Sequence, residues 1–291
     1  MDICLQEIVE AVARDAHSGA SDMVINVAKS IISLSDEDFA SLTTLDWKEF
    51  SIELHKAKPS IATIFNLANA IMLVSEQETY DINNIRNIIV NIIEQERSSV
   101  ELIANIAGRI IDADHIITSS YSSTVGAALS SIASRKSLSV TVAESLPGGE
   151  GRQFAMKLQE MGISAEIIPD SNIFARMSDA DCILTGADSL TPLGLVNKVG
   201  TRALAEAAYC FDLPAYAMCG QSKATPMRLS EMVVTEQPIS DNLCERSQLF
   251  EATPLDRFTF IIMEDGLLTP DQTLNMLENR EMAKVWDSLI Y

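Results

Sequence analysis

The spacing of apolar residues changes near residue 112. Before that point they recur every three or four positions, which is the period of an amphipathic helix. The clearest examples are Ile3, Leu5, Ile8, Val9 and Val12, and later Ile82, Ile85, Ile89, Ile92 and Ile93. Ser35, ahead of three acidic residues, and Asp81, ahead of a long periodic segment, have the character of helix N-caps. We therefore predict four or five helices in a first domain, residues 1–112.

After Asp114 short apolar runs alternate with amphipathic segments. The runs predict strands at 115–118, 139–143, 166–168, 182–185, 214–218 and 258–263, and the segments predict helices at 124–133, 150–161 and 199–211. Strands alternating with helices indicate parallel pairing through right-handed crossovers. The fold class is therefore α/β, with helices followed by a doubly wound, mainly parallel sheet in residues 113–291. The stretch 220–255 has weak periodicity and three prolines, so we predict long irregular connections there.

The stretch 181–202 carries the densest candidate chemistry. Its apolar run ends in Gly186-Ala187-Asp188, and Asn197-Lys198 follows closely. Because ligands of open α/β sheets bind beyond the carboxyl ends of the strands, we expect Asp188 to face a crevice. Asp188 and Lys198 are either a carboxylate and its counter-ion in acid–base chemistry or an ordinary salt bridge that holds a loop. The sequence leaves both alternatives open.

Other polar segments follow predicted strands or precede predicted helices. The hydroxyl-rich run 118–126 could bind phosphate at a helix N-terminus, or simply cap that helix. The glycine-rich turn 144–151 leads to Arg152, which could meet an anion or pair with Glu150 or another carboxylate. For Asp170 and Ser171 we favour helix capping over a place in the crevice. The segment 15–21 is either a small anion-binding nest or a capped turn.

Composition excludes several function classes. The chain has 291 residues, 41 acidic against 21 basic, and a formal net charge of -20, which argues against direct nucleic-acid binding. Five scattered cysteines and three distant histidines give neither a disulfide framework nor a metal site, and no cofactor is indicated. The longest apolar stretch, 61–74, is too short to span a membrane. We therefore expect a cytoplasmic protein.

Taken together, the motifs in this order resemble the translation initiation factor 2B regulatory-subunit family (α, β, δ). That family also contains the isomerases of ribose 1,5-bisphosphate and methylthioribose 1-phosphate. The resemblance is carried by Ser18-Gly19-Ala20, Thr118-Ser119-Ser120-Tyr121-Ser122, Ala143-Glu144-Ser145, Pro147, Gly151-Arg152, Pro169-Asp170-Ser171, Gly186-Ala187-Asp188, Asn197-Lys198-Val199-Gly200-Thr201, Thr253-Pro254 and Glu264-Asp265-Gly266. It implies a Rossmann-like sheet domain after the helical domain.

The resemblance also implies where catalysis should fail. The isomerases use an aspartate, which falls on Asp188, and a cysteine, whose position falls on Ser120. A hydroxyl is a far weaker acid than a thiol, so Ser120 is a poor proton donor. The isomerases tend to have arginines where this chain has Ser18 and Leu146, and an Asn-Gly pair where it has Leu193-Gly194. The Ser-Tyr-Ser run instead looks like that of the α-type regulatory subunit.

Three hypotheses follow. The leading one is a regulatory, non-catalytic or weakly catalytic member of the family that binds a small phosphorylated ligand, a sugar phosphate or nucleotide, with initiation factor 2 as its implied partner. Its candidate binding residues are Ser18, Gly19, Ser120, Ser122, Arg152, Asp188, Asn197 and Lys198. The alternative is an aldose–ketose isomerase in which Asp188 is the acid–base group and Ser120 or a water replaces the thiol. The third is an oligomeric scaffold: the resemblance implies assembly through the Rossmann-like domain, and we expect a homo-oligomer, a dimer or higher, with apolar surface near Val285 and Leu289 as a candidate interface.

Overall fold

The first part of the chain is helical in the computed structural model, which describes residues 1–15, 18–77, 81–228 and 234–286. Six helices lie within the described residues before 112, one more than predicted: α1 Ile3–Arg14, α2 Ala20–Ile32, α3 Asp36–Ser41, α4 Thr44–Ala57, α5 Ala62–Ser75 and α6 Ile82–Ile110. The count was wrong because one polar stretch holds two helix starts. Ser35 caps α3, and Thr43 with Asp46 forms a capping box that begins α4 only a few residues later.

The core of the helical part is built around α5. This helix is apolar on nearly all sides, as expected of a helix surrounded by others. Trp47, Phe50 and Phe65 pack in this core, and so does Trp286 from the far end of the described chain. Asn69 holds that returning segment, since its Nδ2 donates to the carbonyl oxygen of Glu281 at 3.0 Å. The domain boundary at residue 112 stays a prediction.

One of the two proposed contact residues is affected by this packing. Val285 is partly buried against the helical core, so it does not form the exposed apolar contact that the sequence suggested. Leu289 lies outside the described residues.

Within the described ranges, none of the helices combines the length and apolar character that crossing a bilayer requires.

The second part of the chain is organised around a seven-stranded sheet, and the predicted parallel architecture is confirmed. The strands in chain order are β1 His115–Ser119, β2 Ser139–Ala143, β3 Ser164–Ile168, β4 Cys182–Thr185, β5 Ser189–Thr191, β6 Gly194–Lys198, β7 Ala215–Met218, β8 Val234–Ser240, β9 Leu243–Gln248, β10 Phe250–Thr253, β11 Phe260–Met263 and β12 Gly266–Leu268. In the main sheet they lie in the order β12-β11-β7-β4-β1-β2-β3, and only β12 is antiparallel.

Helices cover both faces of this sheet. Their bounds are α7 Ser123–Ala133, α8 Glu150–Glu160, α9 Ile173–Arg176, α10 Thr201–Cys210 and α11 Pro270–Glu278. Consecutive residues of β1 show the two faces, because Ile116 packs with α6, α7 and α8 and Ile117 packs with α9, α10 and α11. Since both faces are buried, the central strands are continuous apolar runs, which is why the sequence located them well.

The described residues of the stretch 220–255 include three strands, contrary to our prediction of long irregular connections. Strands β8 and β9 form an exposed antiparallel hairpin, and β10 pairs with β6 in a small sheet that also contains β5. Pro238 is one of the prolines on which the prediction of irregular connections rested. It lies in β8 where the register shifts between Pro238 and Ser240, and at such an irregularity a missing N–H is tolerated.

Candidate functional site

The loops that follow β1 and β2 are joined at the carboxyl edge of the sheet. The backbone N–H of Ser120 donates to the Ser145 hydroxyl at 2.6 Å. Both serines have positive φ, 64° and 61°, a conformation that is uncommon outside glycine and recurs at functional sites. Both are buried. The chain therefore turns sharply at the same level after two neighbouring strands, and Tyr121 and Leu146, the next residues, are exposed.

Asp170 fixes the second of these loops. Its carboxylate accepts hydrogen bonds from the backbone N–H of Ser145 at 2.8 Å and of Leu146 at 2.7 Å. The sequence interpretation of Asp170 as a helix cap was wrong, because its side chain caps no helix among the described residues. It reaches across from the end of β3 instead. Ser171 is exposed beside it.

The hydroxyl-rich run 118–126 divides into two kinds of residue. Ser122 caps α7 by accepting a hydrogen bond from the N–H of Val125 at 3.3 Å, so the capping alternative holds for this residue. Thr118 and Ser119 are different: their hydroxyls are buried and have no hydrogen-bond partner among the described residues. Unsatisfied buried hydroxyls are rare in native interiors, which marks this strand end as unusual.

Two of the predicted cations already have carboxylate partners. Arg152 donates from Nη2 to Oε2 of Glu144 at 2.6 Å, and Lys198 pairs with Oε1 of Glu150 at 2.9 Å. Lys198 also lies over the Phe250 ring, 4.6 Å from its centroid. The carboxylates of both ion pairs belong to the segment between β2 and the first turn of α8: Glu144 follows β2, and Glu150 is the first residue of α8. An anion would have to compete with these carboxylates for either cation.

Asp188 follows β4 and faces two ammonium groups. Its backbone N–H is fixed by the carbonyl oxygen of Val196 at 2.9 Å. Burial raises the pKa of Asp188, and Glu150 raises it further, while Lys223 and Lys198 oppose this shift. Among the described residues Asp188 has no ion pair with Lys198, so the simple salt bridge considered above does not form. The result is a recessed carboxylate near two cations.

Lys223 was missed by the sequence analysis. It lies in a short 3₁₀ helix, Gln221–Lys223, and its Nζ donates to the carbonyl oxygen of Ala187, the neighbour of Asp188, at 2.8 Å. The signal was present, because Lys223 follows the strand at 214–218 and the carboxyl ends of parallel strands share one edge. Because we predicted irregular structure after residue 220, we did not place Lys223 at this edge.

Asn197 is a positioning residue in this structure. Its buried Nδ2 donates to Thr201 Oγ1 at 3.0 Å and to Thr185 Oγ1 at 3.3 Å, which ties β6 to the end of β4 and the start of α10. The N-terminus of α10 is already satisfied, since Glu251 accepts from the backbone N–H of Gly200 and of Arg202. Asn197 therefore sets the position of Lys198.

The helical part of the chain reaches the same edge through α2 and α5. Gly19 is the N-cap residue of α2 and provides no side-chain cap, and the N–H of Ser18 donates to Asp15 Oδ1 at 2.9 Å. Lys58 Nζ donates to the carbonyl oxygen of Asp15 at 2.7 Å. At the start of α5, the N–H of Ala62 donates to Oγ of Ser189, the residue after Asp188, at 3.2 Å. Segment 58–62 thus links Asp15, ahead of α2, to Ser189, beside Asp188. His17 lies outside the described residues.

Comparison with known proteins agrees with the resemblance seen in the motifs. A model of the initiation factor 2 subunit family matches residues 16–270. A translation initiation factor eIF-2B subunit 2-like protein of Pyrococcus furiosus is 31% identical over 272 residues, 92% of this chain and 97% of that protein. A ribose 1,5-bisphosphate isomerase of Archaeoglobus fulgidus is 30% identical over 157 residues, 50% of each chain.

Solved structures share the fold. The crystal structure of Pyrococcus horikoshii translation initiation factor eIF-2B superposes with a TM-score of 0.77 at 27% identity, covering 94% of this chain and 100% of that one. A chain of the tetrameric eIF2B-beta2-delta2 complex from C. thermophilum superposes with a TM-score of 0.70 at 17% identity, covering 94% and 92%. Subunits with this fold therefore occur in oligomeric complexes.

Proposed function

This chain belongs to the initiation factor 2 subunit family, and we propose that it binds a small phosphorylated ligand at the edge formed by Asp188, Lys198 and Lys223. The ligand is a sugar phosphate or a nucleotide, and the binding serves a regulatory role in translation initiation in the cytoplasm. The observation that carries this proposal is Lys223. Among the described residues its ammonium has a carbonyl oxygen as its hydrogen-bond partner and forms no ion pair, so its charge is available to a phosphate.

The remaining candidate residues support the same ligand. Lys198 lies close enough to Asp188 to lower the pKa of that carboxyl, although the ammonium of Lys198 pairs with Glu150. Ser120 offers a hydroxyl at a sharp turn, and Ser18 and Gly19 lie at the start of a helix that favours anions. Arg152 lies two residues after Glu150 in the first turn of α8 and pairs with Glu144. We assign the phosphate first to Lys223 and Lys198, and Arg152 to a second anionic group.

The absence of a thiol at position 120 favours binding over catalysis. Moving a proton between neighbouring carbons needs a base and an acid of matched strength. Asp188 can supply the base, but Ser120 is a weak acid, and its backbone contact is the hydroxyl of Ser145 rather than a basic side chain. The second candidate function, aldose–ketose isomerisation, is favoured by one feature: burial raises the pKa of Asp188, and carboxyls with shifted pKa values cluster at functional sites.

An assay for aldose-to-ketose conversion separates the two functions. Ribose 1,5-bisphosphate and methylthioribose 1-phosphate are offered to the wild type, Ser120→Cys and Asp188→Asn, and thermal stability is measured with each compound. Stabilisation by a ligand without turnover supports the regulatory function. Turnover by the wild type that disappears in Asp188→Asn establishes the isomerase. Nucleotides are tested for thermal stabilisation in the same way, and binding of initiation factor 2 to the immobilised protein is measured. The proposal is wrong if no sugar phosphate or nucleotide stabilises the wild type and initiation factor 2 does not bind.

We also propose that the protein acts as a homo-oligomer. The hairpin of β8 and β9 supports this, because every residue from Val234 to Cys244 is exposed and an isolated two-stranded hairpin is marginal in water. Val234, Ile239 and Leu243 are large apolar side chains on it that remain at least half exposed. Light scattering at micromolar concentration tests the assembly, and a monomer would contradict it.

A further inference from the structure

A polar cavity lies across segment 221–224 from Asp188. It has a volume of about 240 Å³ and is lined by Asn66, Asn69, Pro226, Arg280 and Glu281. The segment 221–224 separates the two places. Lys223 contacts Ala187 on one side, whereas the carbonyl oxygens of Ser222 and Ala224 accept hydrogen bonds from Asn66 on the other, at 2.6 and 2.8 Å. The cavity is therefore distinct from the site proposed above.

Arg280 lines this cavity and forms no contact ion pair among the described residues. Its guanidinium donates to the carbonyl oxygen of Ala224 and to Oε1 of Gln221, which are both neutral. Throughout the described parts of the chain, Arg280 forms no ion pair with a carboxylate. Burial lowers the pKa of Arg280, while Cys219 and Glu264 act in the opposite direction. Because arginine stays protonated in proteins, its charge is balanced here through longer-range interaction with Glu264 rather than by a carboxylate in contact.

Donors remain for a ligand. A guanidinium has five N–H groups, and the bonds to Ala224 and Gln221 use two of them. Asn66 uses both N–H groups of its amide on Ser222 and Ala224. Asn69 uses one on Glu281, and its Oδ1 accepts from the N–H of Ala283 at 2.9 Å, so one amide N–H is left. The spare donors of the cavity thus come from Arg280 and Asn69.

We propose that this cavity binds a small oxyanion, a carboxylate or a phosphate, through the guanidinium of Arg280 and the amide of Asn69. The fork of a guanidinium matches the two oxygens of either group. A volume of about 240 Å³ is several times that of a water molecule but smaller than pockets for drug-sized ligands, so it suits an ion of a few atoms with some water. The exposed carboxylate of Glu281 at the rim opposes the anion and limits its affinity.

Nuclear magnetic resonance of the full-length, deuterated protein tests the proposal. Inorganic phosphate and acetate are titrated separately, with chloride holding the ionic strength constant, and the signals of the Asn69 amide and the Ala283 N–H are followed. We expect saturable shifts with at least one anion in the wild type and their loss in Arg280→Gln. Lys223→Gln should keep them, which separates this cavity from the Asp188 site even if that site binds nothing.

A second variant guards against damage to the fold in Arg280→Gln. Glu281→Gln changes an exposed side chain and removes the opposing charge, so the apparent Kd should fall by a factor of about two to five at low salt. The absence of saturable shifts in the wild type overturns the proposal. Shifts that persist unchanged in Arg280→Gln, or a Kd that does not fall in Glu281→Gln, overturn it as well.

Discussion

Lys198 is paired with Glu150, Nζ to Oε1 at 2.9 Å, while Asp188 lies near the same ammonium without pairing to it. Glu150 begins α8 and Lys198 ends β6, so the pair joins the glycine-rich loop to the strand next to Asp188. Both side chains are about three-quarters buried, at 24% and 27% exposure. One carboxylate therefore holds a cation that a phosphate would use.

Glu150→Gln should strengthen the binding of ribose 1,5-bisphosphate. The substitution frees Lys198 and removes a negative charge near the ligand, and we expect the Kd to fall by a factor of about two to five at low salt. Isothermal titration calorimetry measures it. Glu160→Gln is the matched control, since Glu160 pairs with Lys157 at the other end of α8 and should leave the Kd unchanged. An unaltered Kd in Glu150→Gln would remove Lys198 from the site.

Asp170→Ala should destabilise the protein by about 2 kcal/mol, because two backbone N–H groups lose a charged acceptor and water replaces it only in part. Urea unfolding followed by circular dichroism gives the free energy of unfolding. Ser171→Ala, the exposed neighbour, should stay within about 0.5 kcal/mol of the wild type. Equal values for the two variants would show that the loop at 145–146 does not depend on Asp170.

The sequence predicted the strands better than the ion pairs, for a physical reason. Strands β2 and β4 have the predicted bounds because strands buried on both faces consist mostly of apolar residues, which marks them in the sequence. The partner of Lys198 depends on how the loop before α8 is turned. That turn follows from the positive φ of Ser145 and the hydrogen bonds of Asp170, which no local pattern of residue types specifies.

The position of Lys223 shows the same limit from another side. The carboxyl-edge rule could have included it, but only if the strand at 215–218 had been followed by a short turn in the prediction. Pro226 and Pro238 instead suggested irregular structure throughout. Asp188 was located correctly beyond β4 because an apolar run of four residues marks the end of that strand without ambiguity.

Two glycines with positive φ should differ in their tolerance of alanine. At Gly149, with φ 74°, a Cβ meets nothing within 4 Å, so Gly149→Ala should cost about 1 kcal/mol of backbone strain. At Gly194, with φ 135°, a Cβ would lie 2.4 Å from the carbonyl oxygen of Thr253. Gly194→Ala should therefore cost about 3 kcal/mol or more.

Urea unfolding of both variants checks this order. Gly19→Ala serves as the control, since Gly19 has φ -68° and the nearest atom to an added Cβ is 4.0 Å away. Its free energy of unfolding should change by no more than about 0.5 kcal/mol. A larger loss in Gly149→Ala than in Gly194→Ala would contradict the close approach of β6 to Thr253.

Asp181 should contribute stability that depends on pH. The backbone N–H groups of His115 and Asp114 both donate to Asp181 Oδ2 at 2.8 Å and lower the pKa of this carboxyl from 3.8. A lowered pKa in the folded state means that the ionised form adds stability above pH 3.8, and that this is lost as the pH falls through the folded value.

The comparison of wild type with Asp181→Asn isolates this charge, since the asparagine oxygen can still accept both hydrogen bonds. We expect the wild type to be more stable from pH 7 down to about 5, and the difference in unfolding free energy to shrink towards pH 3. Asp241→Asn, on the exposed turn of the hairpin, is the control for removing a surface charge. A difference that is constant with pH would mean that the charge is not involved.

Thr118→Val should stabilise the protein by about 1 kcal/mol. The Thr118 hydroxyl is fully buried at the end of β1 without a hydrogen-bond partner among the described residues, and valine keeps the shape while removing the unpaired polar group. Thr185→Val is the matched control at the end of β4. There the hydroxyl accepts from Asn197 Nδ2 at 3.3 Å and donates to Gly186 at 3.2 Å, so its loss should cost about 1 kcal/mol. Urea unfolding compares the two, and a loss of stability in Thr118→Val equal to that in Thr185→Val would show that a buried water satisfies the Thr118 hydroxyl.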